Sequence, residues 1–403
     1  MEKPVQNAAA NMKMDVASAV GRDTRPTILH YTFHLGGGGA EAMLMNLVEK
    51  LDPKWFRSVV VAVNTTPWPD LMQRLAAAGV KLYSLERLSL GSFARLCAIL
   101  RAERPDIVQT WIQQSDFVGG WAARLAGVPK VIWSLHMLET FHDPKESRFM
   151  IAFLHRALVF SSRFIPSRII SCSAAAVETH VAMGYPRSKM QWIPNGIDTE
   201  RFIPDAKVAS ATRMELQLPP EVPVIGYAGR FHEAKDLTTF LRAAALLQSH
   251  VPKAHFLLCG GLQSDLSGKE REAFSRMPFP DQVRFEAFRT DPWSIYPALD
   301  LYSLSSRTEA CPMSIIEAMS CGVPCVTTDV GDCAFLLDGV GCVVPAGDPE
   351  ALANAWEQAL RLGAESKVTI ASWLRSRAQE RFSIEQAIGS YAETYLRLVA
   401  KGR

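Results

Sequence analysis

Nowhere in this sequence of 403 residues does an uncharged run reach the roughly 18 residues that a membrane-spanning helix needs. The first 24 residues lack the apolar core of about 7–15 residues that marks a secretory signal. Residues 1–24 read instead as a mobile tail, ending where Pro26 introduces the first strand. Metal chemistry also finds little footing. The eight cysteines include no Cys-x-x-Cys pair, and no histidine lies among the five between Cys311 and Cys342, so they read as reduced, buried thiols with no metal site. The chain has no Asp-x-Asp either. Charge of one sign is also scarce. Lys+Arg number 43 against 41 Asp+Glu, a net +2, which gives no general attraction to nucleic acid.

What is present is ordinary for a folded protein: 48% hydrophobic and 21% charged residues. Single cores stop growing at roughly 250–300 residues, so the length implies two domains. Short apolar runs alternate with helical periodicity. Strands are expected at Thr27–Phe33, Ser58–Val63, Val80–Ser84, Ile107–Thr110, Lys130–Ser134 and Arg168–Cys172. The pattern restarts after the turn signal Ile193-Pro194-Asn195-Gly196 and a stretch rich in proline. Further strands are expected at Val222–Ala228, His255–Cys259, Val283–Phe285, Leu299–Leu304 and Pro324–Thr327, with helices at Asp236–His250 and near Ser314–Cys321. Continuous rather than alternating apolar strands suit parallel sheets covered on both faces. The fold class that follows is α/β, two Rossmann-like doubly wound domains facing a cleft. The last 35 residues or so show helical pattern only.

In such sheets ligands sit at the carboxyl ends of strands, and three loops there could carry chemistry. The first is His34-Leu35-Gly36-Gly37-Gly38-Gly39, between a strand and a helix. Its glycines let backbone N–H groups approach an anion at a helix N-terminus. Gly37, Gly39 and Ala42 also satisfy Gly-x-Gly-x-x-Ala, but the second strand runs into Val63-Asn64 with no acid for a ribose, which weakens a dinucleotide reading. A phosphate or sugar contact and a merely tight turn both remain open. The second loop, Gly229-Arg230-Phe231-His232-Glu233-Ala234-Lys235, places two cations five residues apart beside a glycine. Arg230 can clamp phosphate oxygens with two N–H groups and Lys235 offers a compact charge, although solvated loop cations are the commoner case. The third, Glu309-Ala310-Cys311-Pro312-Met313-Ser314-Ile315-Ile316-Glu317, holds two carboxylates eight residues apart. Such a pair can grip a sugar and a ribose, while a first-turn acid favoured by the helix dipole explains Glu317 equally well.

Taken together, Asn195-Gly196-Ile197-Asp198, the Gly229-Arg230…Lys235 loop, Glu309-x7-Glu317 running into Ala318-Met319-Ser320-Cys321-Gly322-Val323-Pro324, and Val344-Pro345-Ala346-Gly347-Asp348-Pro349-Glu350 resemble the retaining nucleotide-sugar glycosyltransferases of the GT4 family. The segment from Trp111 to Val128 is similar to members that build bacterial O-antigen or exopolysaccharide repeats. The resemblance implies a GT-B fold: residues 25–200 on the acceptor side, residues 201–380 binding the nucleotide sugar, and a C-terminal helix, 381–403, crossing back to the first domain. By motif position it implies that Arg230 and Lys235 hold the leaving diphosphate, that Glu309 contacts the donor sugar and that Glu317 contacts the ribose. Gly37, Gly38 and Gly39 would approach the donor, as would Gly229 and the amides of Cys311, Met313 and Ser314. His136 falls where the family often places a residue that contacts the donor sugar. Pro312 departs from the pattern, since it has no N–H to offer a phosphate.

The implied activity is transfer of a hexose or N-acetylhexosamine, from a UDP-sugar in preference to a GDP-sugar, to a saccharide or polyprenyl-diphosphate-linked acceptor. The implied mechanism is retaining, attacks from the front face and uses no metal or other cofactor. A glycosyltransferase of soluble metabolites and a sugar-nucleotide epimerase of the same architecture remain alternatives. The implied location is the cytoplasm, with a peripheral position on the inner face of the plasma membrane left open. That second location has a sequence basis. Lys145, Arg148, Arg156, Arg163 and Arg168 face a single acid, Glu146, while Met150, Phe153, Leu154, Ala157, Phe160 and Phe164 recur at helical spacing. This reads either as the core face of a helix or as an amphipathic helix for an anionic membrane.

Overall fold

A run such as Ser58-Val59-Val60-Val61-Ala62-Val63 has β-branched side chains on both faces of its pleat, and it is stable only when both faces are covered. The computed structural model describes residues 25–36, 38–63, 69–138 and 148–400, and in it Val59 through Val63 are all buried. The tail at 1–24 and the residues Gly37, Lys145 and Glu146 lie outside the described residues.

Seven strands form a first parallel sheet: β1 (Thr27–Thr32), β2 (Arg57–Val63), β3 (Lys81–Leu85), β4 (Ile107–Trp111), β5 (Lys130–Leu135), β6 (Arg168–Ser171) and β7 (Met190–Trp192). Their order is β3-β2-β1-β4-β5-β6-β7. Six strands form a second: β8 (Val224–Ala228), β9 (His255–Cys259), β10 (Val283–Glu286), β11 (Leu301–Leu304), β12 (Cys325–Thr328) and β13 (Cys342–Val344), in the order β10-β9-β8-β11-β12-β13. Each order reverses direction once, between β1 and β4 in the first sheet and between β8 and β11 in the second. Loops leaving the strands at such a switch point diverge and open a crevice, the usual ligand position in doubly wound sheets. The glycine loop leaves β1, the Arg230–Lys235 loop leaves β8, and the Glu309 loop leaves β11.

The chain divides into two units, one of Met1–Pro194 with Glu385–Arg403 and one of Asn195–Ile384. The sequence expectation placed these divisions after residues 200 and 380. Side chains and backbone around the crossings explain the shift. Asn195 Nδ2 donates to the Cys311 carbonyl at 3.0 Å, Ile197 bridges Ser383, and Ile384 N–H donates to the Ile197 carbonyl at 2.8 Å. These contacts tie Asn195 and Ile197 to the second unit. Two strands escaped the periodicity argument, β7 and β13, because three residues are too few to show a period.

The last two helices part company. Ala364–Arg381 packs in the second unit, on the helix Met313–Ser320, whereas Ile384–Ala400 completes the core of the first. There Tyr391 and Tyr395 are fully buried, and Phe56 meets Tyr395 edge-on with centroids 5.9 Å apart. Tyr395 Oη donates to Gln109 Oε1 on β4, and Gln109 Nε2 donates to Ser134 Oγ on β5 at 2.7 Å. The buried amide is thus satisfied on both sides only while this helix is docked. Replacing Tyr395→Phe strips the acceptor of its partner and should cost about 1–3 kcal/mol. Urea unfolding followed by tryptophan fluorescence checks this, and an unchanged midpoint would remove the hydrogen bond from any structural role.

Candidate active site

The loop after β8 folds back on itself before the helix Leu237–His250 begins. Asp236 caps that helix from a left-handed backbone, φ 46°, and accepts from Thr239 N–H at 3.3 Å and Thr239 Oγ1 at 2.8 Å. A left-handed aspartate is tolerated because its short side chain can bond locally. The loop after β11 holds this turn in place. Ser305 Oγ donates to the carbonyls of Lys235 and Asp236, each at 3.0 Å. Arg307 N–H donates to the Ala234 carbonyl at 2.8 Å, and Arg307 Nε reaches Asp236 Oδ2 at 2.8 Å.

With the two loops locked, Lys235 Nζ lies 2.5 Å from Glu309 Oε1, which also accepts from Ser306 Oγ at 2.6 Å. Both bonds fall on one carboxylate oxygen. The Glu309 side chain is 9% exposed and that of Lys235 is 27% exposed, so the pair is largely but not wholly screened from water. Behind it, a Cβ at Gly331 would stand 2.1 Å from the Glu309 carbonyl oxygen, and Gly331 has φ +55°; only glycine allows this approach. On the other side, Gly260, φ +122°, brings its backbone against Gly229, whose carbonyl oxygen would lie 2.2 Å from an added Cβ. Arg230 is exposed beside this contact, and its carbonyl accepts from Tyr227 Oη at 3.1 Å.

The helix carrying Glu317 runs Met313–Ser320 and begins after Pro312 with no side-chain cap. Its first-turn amides, including those of Met313 and Ser314, therefore face outward from an uncapped end. Cys311 is buried, and its carbonyl takes the amide of Asn195. One turn inside, Glu317 Oε2 accepts from the buried Tyr296 Oη. Burial pushes the Glu317 carboxyl up to about 7, and the Tyr296 bond partly offsets this.

In the first unit, the helix Gly39–Lys50 starts after Gly38 with no side-chain cap, and a Cβ at Gly38 would fall 2.3 Å from Glu41 Oε2. His136 follows β5 and stacks on Trp111, with centroids 5.2 Å apart and planes at 21°. Tyr391 stacks along the same indole at 6.3 Å, and Trp111 Nε1 donates to His30 Nδ1 at 3.3 Å. Burial lowers the His136 pKa to about 4, so the ring is neutral near pH 7, and its buried Nδ1 has no hydrogen-bond partner among the described residues.

Two family models match this chain. One, described as Glycosyltransferase Family 4, covers residues 37–201; the other, described as Glycosyl transferases group 1, covers residues 222–361. The chain belongs to the GT4-type glycosyltransferases. Among curated relatives, the UDP-Gal:alpha-D-GlcNAc-diphosphoundecaprenol alpha-1,3-galactosyltransferase of Escherichia coli is 25% identical over 316 residues, 76% of this chain and 79% of that protein. The lipopolysaccharide core biosynthesis glycosyltransferase LpsE of Rhizobium meliloti is 24% identical over 384 residues, 91% and 98% of the two chains. The crystal structure of Anabaena Alr3699/HepE in complex with UDP-glucose aligns with a TM-score of 0.79 at 22% identity, over 91% of this chain and 98% of that one. The two parallel sheets are those of the GT-B glycosyltransferases.

Within the second unit of this glycosyltransferase, Lys235 and Glu309 are thus in direct contact, with Gly229 and Arg230 on the same loop as Lys235. Gly37 lies outside the described residues. Sequence reasoning missed Ser305, Ser306, Arg307, Asp236 and Gly331, which hold the pair in place. Their signal was positional: Ser305 to Arg307 come directly after a buried strand, where a ligand loop begins. Glu317 offers a test of the electrostatics. Its folded pKa lies above the ordinary value of 4.5, so the native state holds a proton that the unfolded chain has lost. Wild type should therefore lose stability relative to Glu317→Gln as pH rises from about 4.5 to about 7. Urea midpoints of both proteins across that window decide it; parallel curves would mean an ordinary carboxylate.

Proposed function

We propose that the protein transfers a hexose or N-acetylhexosamine from a nucleoside diphosphate sugar, UDP-linked in preference to GDP-linked, to a saccharide carried on polyprenyl diphosphate. The anomeric configuration is retained and no metal takes part. The observation that carries this reading is the Lys235–Glu309 pair, cross-braced at the carboxyl ends of β8 and β11 beside an exposed Arg230. Such a site provides one cation held in place, Lys235, and an exposed Arg230 beside it for a leaving diphosphate, and preorganised charge is where electrostatic catalysis draws its strength. Both described bonds to Glu309 fall on Oε1, which leaves Oε2 for a sugar hydroxyl. Support for the donor and acceptor comes from the relatives, one named for UDP-galactose and a diphosphoundecaprenol acceptor, and from the neighbour complexed with UDP-glucose.

In this reading Arg230 and Lys235 bind the diphosphate, and the uncapped start of Met313–Ser320 adds amides from Met313 and Ser314. Glu317 receives the ribose through Oε1, its other oxygen being held by Tyr296. The neutral His136 ring and the amides of Gly38 and Gly39 meet the donor sugar. The anomeric carbon loses its bond to the phosphate oxygen as the acceptor oxygen bonds from the same face. The acceptor's proton passes to the departing phosphate, whose charge Arg230 and Lys235 balance. Positioning and charge stabilisation then account for the rate, with no enzyme nucleophile.

Lys235→Ala and Arg230→Ala should each lower kcat/KM about 10²- to 10³-fold with the melting temperature little changed. Glu309→Ala should do the same, while Glu309→Gln retains more activity because it keeps an acceptor for Lys235. UDP should raise the melting temperature more than GDP, and EDTA should leave transfer intact. Product anomers read by NMR test retention. An epimerised sugar nucleotide formed without acceptor would replace the transferase reading for this site.

A further inference from the structure

The helix Arg148–Ser162 has two unlike faces, one packed and one exposed. Leu158, Ser161 and Ser162 are buried, and Leu154 and Val159 pack on the core of the first unit. Phe153, Phe160 and Phe164 point away, each exposed to more than half of its surface (61%, 61% and 63%). The stripe read from sequence as one face is therefore split, with Leu154 inward and the three phenylalanines outward. Phe153 and Phe160 lie about 10 Å apart along the helix, and Phe164, in the turn that follows, has its ring 5.4 Å from that of Phe160.

A second helix widens the surface. Gln113–Leu125 exposes Trp121 (39%) and Leu125 (60%). Its C-terminal end is tied to the end of the first helix by Arg124, whose Nη2 donates to the Ile165 carbonyl at 2.6 Å and to the Phe164 carbonyl at 3.3 Å. Lys189 Nζ donates to the Arg163 carbonyl at 2.6 Å and the Ser162 carbonyl at 3.1 Å. The carbonyls at and just after the C-terminal end of Arg148–Ser162 are thus covered by two cations, and Arg156 and Arg163 stand exposed on the same segment as the phenylalanines. Among the described residues, neither helix exposes an acid; Asp116 is fully buried.

We propose that this two-helix surface docks on an anionic lipid bilayer. Large aromatic side chains insert at the boundary between headgroups and acyl chains, and arginines beside them meet lipid phosphates. A soluble protein partner would equally bury the aromatics, but exposed Arg124, Arg156 and Arg163, on or just after two helices that expose no acid among the described residues, match an anionic plane best. For its purpose, bringing the enzyme to a lipid-linked acceptor, this docking rests on the transfer reading above; the binding itself does not.

The experiment is therefore done without nucleotide or acceptor, so that its failure leaves the transfer reading standing. Purified protein is sedimented with vesicles of phosphatidylcholine containing about 30% phosphatidylglycerol, with phosphatidylcholine alone, and with no lipid, at low salt and at about 0.5 M NaCl. It should pellet with the anionic vesicles only and be released by salt. Phe160→Ser with Phe164→Ser, and separately Arg156→Glu with Arg163→Glu, should each lower the partition coefficient about tenfold or more with unchanged melting temperature. Equal recovery with both vesicle types, no pelleting, or binding unchanged in both variants would overturn the proposal. Sedimentation velocity without lipid closes the remaining route: a dimer abolished by the phenylalanine pair would make the face an interface between copies, and the lipid assignment would fall.

Discussion

An ion pair between loops 74 residues apart in sequence is worth little unless something else fixes both ends, because two long side chains resist being held. Here the fixing is done by backbone. Ser305 and Arg307 hydrogen-bond to the main chain of residues 234–236, and Gly331 lets another strand's loop press against Glu309 from behind. The cation and carboxylate meet because the loops meet, and the loops meet because β8 and β11 are neighbours at the point where the strand order reverses. Everything proposed about donor binding depends on that adjacency. A parallel register that places Leu301 beside Ile225 and Tyr302 beside Gly226 brings the two strand ends level.

Much of this was legible beforehand. Apolar runs such as Ser58–Val63 and His255–Cys259 announced their strands, since nothing but a sheet covered on both faces accommodates them. Arg230, Lys235, Glu309 and Glu317 stood out as charges placed just after such runs. The braces did not stand out. Ser305, Ser306 and Arg307 look like any polar turn, and their role lies in a partner loop that sequence order does not reveal. Gly331 needed the packing to show why a side chain is excluded. Tyr296, which holds one oxygen of Glu317, sits in a proline-flanked turn with no period at all. Trp121 and Leu125 were hidden for the opposite reason: on an amphipathic helix they look like core residues until the core proves to lie elsewhere.

Two histidines of the first unit, His30 and His136, show how burial sets a chemical state. His30 and His136 flank the Trp111 indole, and desolvation pushes both below their ordinary range, to about 3 and about 4. Neither becomes a cation near neutrality, so the ring at His136 offers dipoles rather than charge. A neutral ring of this kind still offers one hydrogen-bond donor and one acceptor, and the buried Nδ1 of His136 has no partner among the described residues.

The docking of Ile384–Ala400 on the first unit has a consequence for biosynthesis. Residues 195–384 form a continuous segment inserted into a unit whose remaining parts lie on either side of it. On a ribosome, that inserted segment has all its residues before the outer one does. The first sheet is made early, yet Gln109 waits for Tyr395 and Trp111 waits for Tyr391 until the final helix emerges. The part of the chain synthesised first is thus the part whose core needs residues that follow the whole inserted segment.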